Sequence, residues 1–103
     1  MIARHWKGVA RAEEARNYIH HLRLETFPQL SAIDGFVDAT ILKREVDEGI
    51  EFLIITVWQS LDAIKAFAGE NLTEAVVPQN VQDMMITFDT HATHYEIDEE
   101  SNE

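Results

Sequence analysis

The chain has 103 residues, 46% of them apolar, and 19 acids against 8 bases give it a formal net charge of −11. That length makes one domain with a modest core, and the apolar content excludes a disordered chain, while no apolar run is long enough to cross a bilayer. The absence of cysteine excludes disulfides, thiolate zinc sites and a Cys nucleophile and suits a cytoplasmic location; no secretory leader is evident, and the acid excess argues against nucleic acid or an anionic membrane as partner.

In chain order, Met1–Val9 reads as a strand closed by Gly8, with Ile2, Arg4 and Trp6 on one face and Ala3 and His5 on the other. A helix follows from about Arg11 to Thr26. Ala12, Ala15, Tyr18, Ile19 and Leu22 recur at helical spacing, Glu13 and Glu14 complement the dipole in the first turn, and Pro28 is expected to end the helix at Phe27. Asp34-Gly35 turns the chain into a second strand, Phe36–Glu45. Asp47-Glu48-Gly49 makes a hairpin into a third strand, Ile50–Gln59.

Ser60 then caps a second helix that Gly69 stops, with Ile64, Phe67 and Ala68 on its apolar face. Asn71 and Glu74 read as a capping pair for one more short helix, which Pro78 halts. A last strand spans about Met85–Ile97, and its change of apolar parity between Phe88 and Tyr95 predicts a bulge or break near His91. Residues 1–97 thus form a single domain, and Asp98–Glu103, with four acids and no base, form a frayed tail. The order strand, helix, strand, strand, helix, strand is the α+β ferredoxin-like split βαβ, a four-stranded antiparallel sheet with two helices on one face.

The third strand is apolar on both parities: Phe52, Ile54 and Trp58 on one side, Leu53, Ile55 and Val57 on the other. Two helices cover only one face of a sheet. The economical cover for the second is another copy of the chain, so a homodimer is expected.

Among chemistry-capable residues, His20 and His21 diverge by about 100° on a helix and cannot grip one ion together, and His91 and His94 lie on opposite strand faces unless a bulge intervenes. No metal-ligand spacing stands out, so no metal is expected. The His20, His21 and His91 rings read as surface or hydrogen-bonded side chains. His94-Tyr95 is the candidate catalytic pair, a base near neutral pH beside a phenol, set against core packing for Tyr95 and a backbone hydrogen bond for His94. Trp6 on its polar strand is the better candidate for a cavity wall, with Arg4 and His5 beside it; Trp58 and Phe67 are further candidate ligand contacts, although core packing is the default for Trp58. Antiparallel pairing of the last strand with the first brings His94 beside Arg4 and within a few residues of Trp6, and the cavity is expected between the second helix and the sheet.

Three local features, Asp34-Gly35-Phe36, Trp58-Gln59-Ser60-Leu61-Asp62-Ala63 and the late His94-Tyr95, together resemble the antibiotic biosynthesis monooxygenase-like family of dimeric α+β barrels. The stretch Ile64–Val77 resembles a subgroup mostly of unknown function, and the similarity covers about Met1–Ile97. The resemblance implies either cofactor-free oxygenation of an aromatic carbanion by dioxygen or degradation of bound haem. The polyketide type places Asn four before the junction Trp and Tyr six after it; Ile54 and Ile64 stand there. The haem degraders place Trp nine after and the ligating His nineteen after; Phe67 and Val77 stand there, and neither ligates iron. The resulting expectation is a homodimer binding a small apolar or aromatic molecule without a cofactor, as a monooxygenase, a non-catalytic binder, or a proton-transfer isomerase or cyclase.

Overall fold

The computed structural model describes residues 1–98, so all but the first residue of the expected acidic tail lies outside the described residues. β1 (Ile2–Ala10) runs through the middle of the sheet and pairs antiparallel along its whole length with β3 (Ile50–Trp58), Ile2 facing Trp58 and Ala10 facing Ile50. β2 (Phe36–Glu45) lies on the outer side of β3, and β4 (Met85–Phe88) and β5 (Thr93–Glu96) share the other edge of β1. The order β2-β3-β1-β4 is that of the ferredoxin-like split βαβ. The expected hairpin closes with Val46 and Gly49 exchanging backbone bonds of 2.9 and 3.3 Å. At the entry to β2, Gly35 has φ +95°, and a Cβ there would stand 2.6 Å from the Ala63 Cβ. Only glycine fits both demands.

The break foreseen near His91 divides the last strand in two. Between β4 and β5 the backbone turns to other partners: Ala92 N–H donates to Thr73 O at 2.7 Å, Ala75 N–H to Thr90 O at 2.9 Å, and Glu74 bridges to His91.

The first helical arm runs further than expected. A 3₁₀ turn (Ala12–Glu14) leads into α1 (Ala15–His21), a π-helical turn (Leu22–Thr26) and α2 (Phe27–Ser31), so the chain passes through Pro28 rather than stopping before it. Phe27 keeps helical angles of −65° and −38°, and its N–H reaches back five residues to Leu22 O. This widened turn breaks the ordinary ladder just where proline has no N–H and its ring needs room, so Pro28 sits at the start of a fresh α turn where it is tolerated.

α3 (Leu61–Ala68) has the punctuation read from its sequence, with the Ser60 Oγ accepting from Ala63 N–H at 3.2 Å and Gly69 at φ +80°. The helix expected at Asn71 does not form; α4 (Gln79–Gln82) begins after Pro78 instead. Asn71 and Glu74 close only one turn, while Arg4 claims the carbonyls of Leu72 and Glu74. A helix through this segment would need the Leu72 carbonyl for the Val76 N–H.

All helices lie against one sheet face. Tyr18, Leu22, Phe52, Ile54, Val81 and Met85 form one buried cluster, and Leu30, Trp58 and Ile64 form a second. Phe52, Ile54, Thr56 and Trp58 of β3 are buried on that face, while Leu53, Ile55 and Val57 on the other keep partial exposure. Among the described residues no helix is long and apolar enough to cross a membrane.

Candidate functional site

A cavity of about 80 Å³ lies between the first helical arm and the sheet, closed by the segment Ala75–Val81 and by Phe67 of α3. It therefore sits under the first helical arm, with the second expected helix contributing only one wall. One water needs roughly 10–15 Å³ and sites enclosing drug-sized ligands begin near 300 Å³, so this space suits a body of about one ring. Its walls are mainly apolar, with Leu22, Phe27, Leu30, Ile54 and Val77 among them. Val77 offers no donor atom. The π turn contributes Leu22 and Thr26 directly, in keeping with the frequent use of such turns at functional sites.

Arg4 is the cation of the cavity and is only 5% exposed. Its Nη1 donates to Leu72 O (2.5 Å) and to His94 Nε2 (2.8 Å), its Nη2 donates to Glu74 O (3.1 Å), and its guanidinium lies 5.9 Å from the centre of the Phe67 ring. All three acceptors are neutral when His94 is neutral. Burial lowers the Arg4 pKa from its ordinary value, yet guanidinium remains charged across the physiological range.

Trp6 forms another wall, tilted against Tyr18 with ring centres 6.1 Å apart, and its Nε1–H donates to Asp89 O at 2.8 Å. A Cβ on Gly8 would come within 2.6 Å of this indole, so glycine two residues on makes room for it.

The candidate residues divide between the two faces. Arg4, Trp6 and Phe67 line the cavity. His94 faces Arg4 across the β1–β5 pair and holds it, but does not line the cavity. Because arginine only donates, the His94 Nε2 carries the lone pair. Burial first and the Arg4 charge second lower the His94 pKa from its usual value, favouring that neutral form. Tyr95 pairs with Ala3 on the opposite face, 55% exposed, with its ring 4.9 Å from that of His5. Neither Tyr95 nor His5 reaches the cavity. Trp58 is wholly buried between Phe36 and Phe67, its Nε1–H donating to Thr56 Oγ1 at 2.8 Å, and it supports Phe67 from behind.

His21, read from the sequence as an ordinary helical histidine, does line the cavity. Its Nδ1 lies 3.0 Å from the Glu25 carboxylate one turn on. An ionised carboxylate only accepts, so Nδ1 carries the proton, and in the neutral ring Nε2 holds the lone pair, the arrangement of an oriented base. The i, i+4 spacing of His21 and Glu25 was the available signal. Among the described residues no group of three His, Cys, Asp or Glu side chains is placed to hold a metal ion.

The architecture matches solved structures over its whole length. A Bacillus cereus protein assigned as an antibiotic biosynthesis monooxygenase superposes with a TM-score of 0.70 at 17% identity, covering 100% of this chain and 96% of that one. The chain has the fold of these monooxygenases. SnoaB, a cofactor-independent oxygenase from Streptomyces nogalater whose structure is of an asparagine-to-alanine variant, gives 0.68 at 16% identity, with 99% and 97% covered. No protein-family model and no curated protein matches the sequence. Identities this low establish a shared fold, that of the family the sequence resembles, and leave the chemistry to the residues in the cavity.

Proposed function

We propose that this protein is a homodimeric, cofactor-independent oxygenase of a small apolar or aromatic molecule bound in the cavity under the first helical arm. The observation that carries the reading is the pairing, inside an apolar cavity, of one buried cation, Arg4, with one carboxylate-backed imidazole, His21. The His21 Nε2 takes a proton from an acidic C–H or O–H of the substrate and becomes an imidazolium, which together with the Arg4 charge balances the anion left behind. The carbanionic form then adds dioxygen, forming a C–O bond and a peroxide that takes up a proton before releasing water and a carbonyl. An apolar enclosure protects such an anion from bulk water. His94 acts through Arg4, as a positioning residue. SnoaB, a cofactor-independent oxygenase of the same fold, supports the same reading.

The open sheet face supports the dimer. Leu42, Leu53, Ile55, Val57 and Val9 share it with His5 and Tyr95, and no described helix covers it. A second copy there would bury at least ~1,200 Å² in total, the size of a specific interface.

Oxygen uptake by the purified, metal- and flavin-free protein, measured against a panel of hydroxylated aromatics and quinols, tests the reading. Uptake above the buffer rate with at least one of them is expected, and no uptake with any of them leaves the proton-transfer isomerase or cyclase and, as the second reading, a binding module. That second reading draws on Ile54 and Ile64, which stand where the resembled polyketide oxygenases carry Asn and Tyr.

A further inference from the structure

Buried cations are ordinarily neutralised by a carboxylate, because an unpaired charge in an apolar interior is costly. Arg4 has no such partner among the described residues: its three acceptors are two backbone carbonyls and an imidazole. Scarcity of acids does not explain this, since the chain carries 19 of them against 8 bases. Guanidinium has five N–H donors. Three are taken, which leaves the Nε–H and one Nη2–H without a protein acceptor among the described residues, and a carboxylate characteristically engages arginine through two such bonds.

We propose that the cavity takes a small organic acid as its monoanion, the carboxylate on Arg4 and an apolar body of about one ring against Trp6, Leu30, Ile54 and Phe67. This deepens the reading of the cavity as the substrate site and rests on it. A single negative charge fits better than the double charge of a phosphate monoester, because Arg4 is the one Lys or Arg of the cavity wall and Glu25 stands behind His21. The titratable groups around the cavity are Arg4 from β1, Tyr18 and His21 from α1, Glu25 behind His21 and His94 behind Arg4; the Ala75–Val81 wall contributes none. The competing role for Arg4 is a strut that holds the Leu72–Glu74 turn. A strut needs only the three donors already engaged and shows no preference between an acid and its neutral isostere.

Calorimetric titration of the full chain with benzoate and with benzamide, without turnover, separates the two. Benzoate is expected to bind at least about tenfold more tightly, as one or two charge-assisted bonds would give, and Arg4→Met is expected to remove the preference. Equal binding of the two probes, tighter binding of benzamide, no binding of either at millimolar concentration, or a preference that survives in Arg4→Met overturns the proposal. Should Arg4→Met not fold, Arg4→Lys keeps the charge and loses the fork; its preference is expected to fall several-fold, and an unchanged preference counts against the fork. A benzoate preference without oxygen uptake on any substrate defeats the oxygenase reading alone. Oxygen uptake confined to uncharged substrates, with benzoate and benzamide bound equally, defeats the carboxylate inference alone.

Discussion

The two faces of β3 both carry apolar side chains and do different work. Phe52, Ile54 and Trp58 pack beneath helices and are nearly or wholly removed from solvent, whereas Leu53, Ile55 and Val57 lie on a face that no described helix covers. The helical face also holds Arg4, Trp6 and the cavity; the other holds His5 and Tyr95. Pleating alone makes this division, since successive side chains alternate across a strand. In this chain the alternation separates what a ligand would touch from what a second copy would touch.

Breaking each face in turn gives effects of decreasing size. Ile54→Asp places a carboxylate within the buried cluster. Its cost, on the order of several kcal/mol, is comparable with the whole stability of a small domain, so circular dichroism is expected to show an unfolded or aggregated chain. Ile55→Asp is expected to leave the spectrum native and convert a dimer to a monomer in sedimentation. A wild-type chain that is already monomeric at micromolar concentration would remove the partner from the account. On the cavity side, His21→Asn is expected to lower oxygen uptake by about 10²–10⁴-fold, as loss of a general base does, with little change in thermal midpoint; retained uptake would assign the proton to another group.

Two smaller effects sharpen the helical face. Thr56→Val deprives the buried Trp58 N–H of its acceptor at a cost of about 1–3 kcal/mol, visible as a lowered midpoint in thermal unfolding. His94 supplies a pH dependence. Its folded pKa lies below the ordinary 6.5, so on acidification the unfolded chain takes up the proton first. The stabilisation is complete above about 6.5 and is lost as pH falls through the folded value. The unfolding midpoint is expected to drop between pH 7 and pH 5, and less steeply in His94→Gln; equal slopes would show that the Arg4 bond does not depend on this proton.

What the sequence discloses here is what short-range chemistry decides. The Ser60 cap, the Gly69 stop and the Asp47-Glu48-Gly49 hairpin each depend on a few adjacent residues, and all three stand in the structure. Pro28 and Pro78 were harder to read. A π turn absorbs the first, and the second opens α4 instead of halting a helix begun at Asn71, where Arg4 holds the Leu72 and Glu74 carbonyls. Behind the cavity wall, the pairing of His94 with Arg4 follows from antiparallel register. Tyr95 could not join it, since neighbours on a regular strand face opposite ways. The adjacency of His21 to His20 suggests an ion grip that the helix forbids, whereas the partner of His21 is Glu25 one turn later.

The division of the sheet is tested most directly by nuclear magnetic resonance of the full chain titrated with benzoate. The account predicts shifts at the Trp6 indole N–H, the Ile54 and Leu22 methyls and the Leu30 methyls, with Leu42, Leu53, Ile55 and Val57 unmoved. Shifts clustered on Leu53, Ile55 and Val57, with the Trp6 and Ile54 signals unchanged, would contradict it.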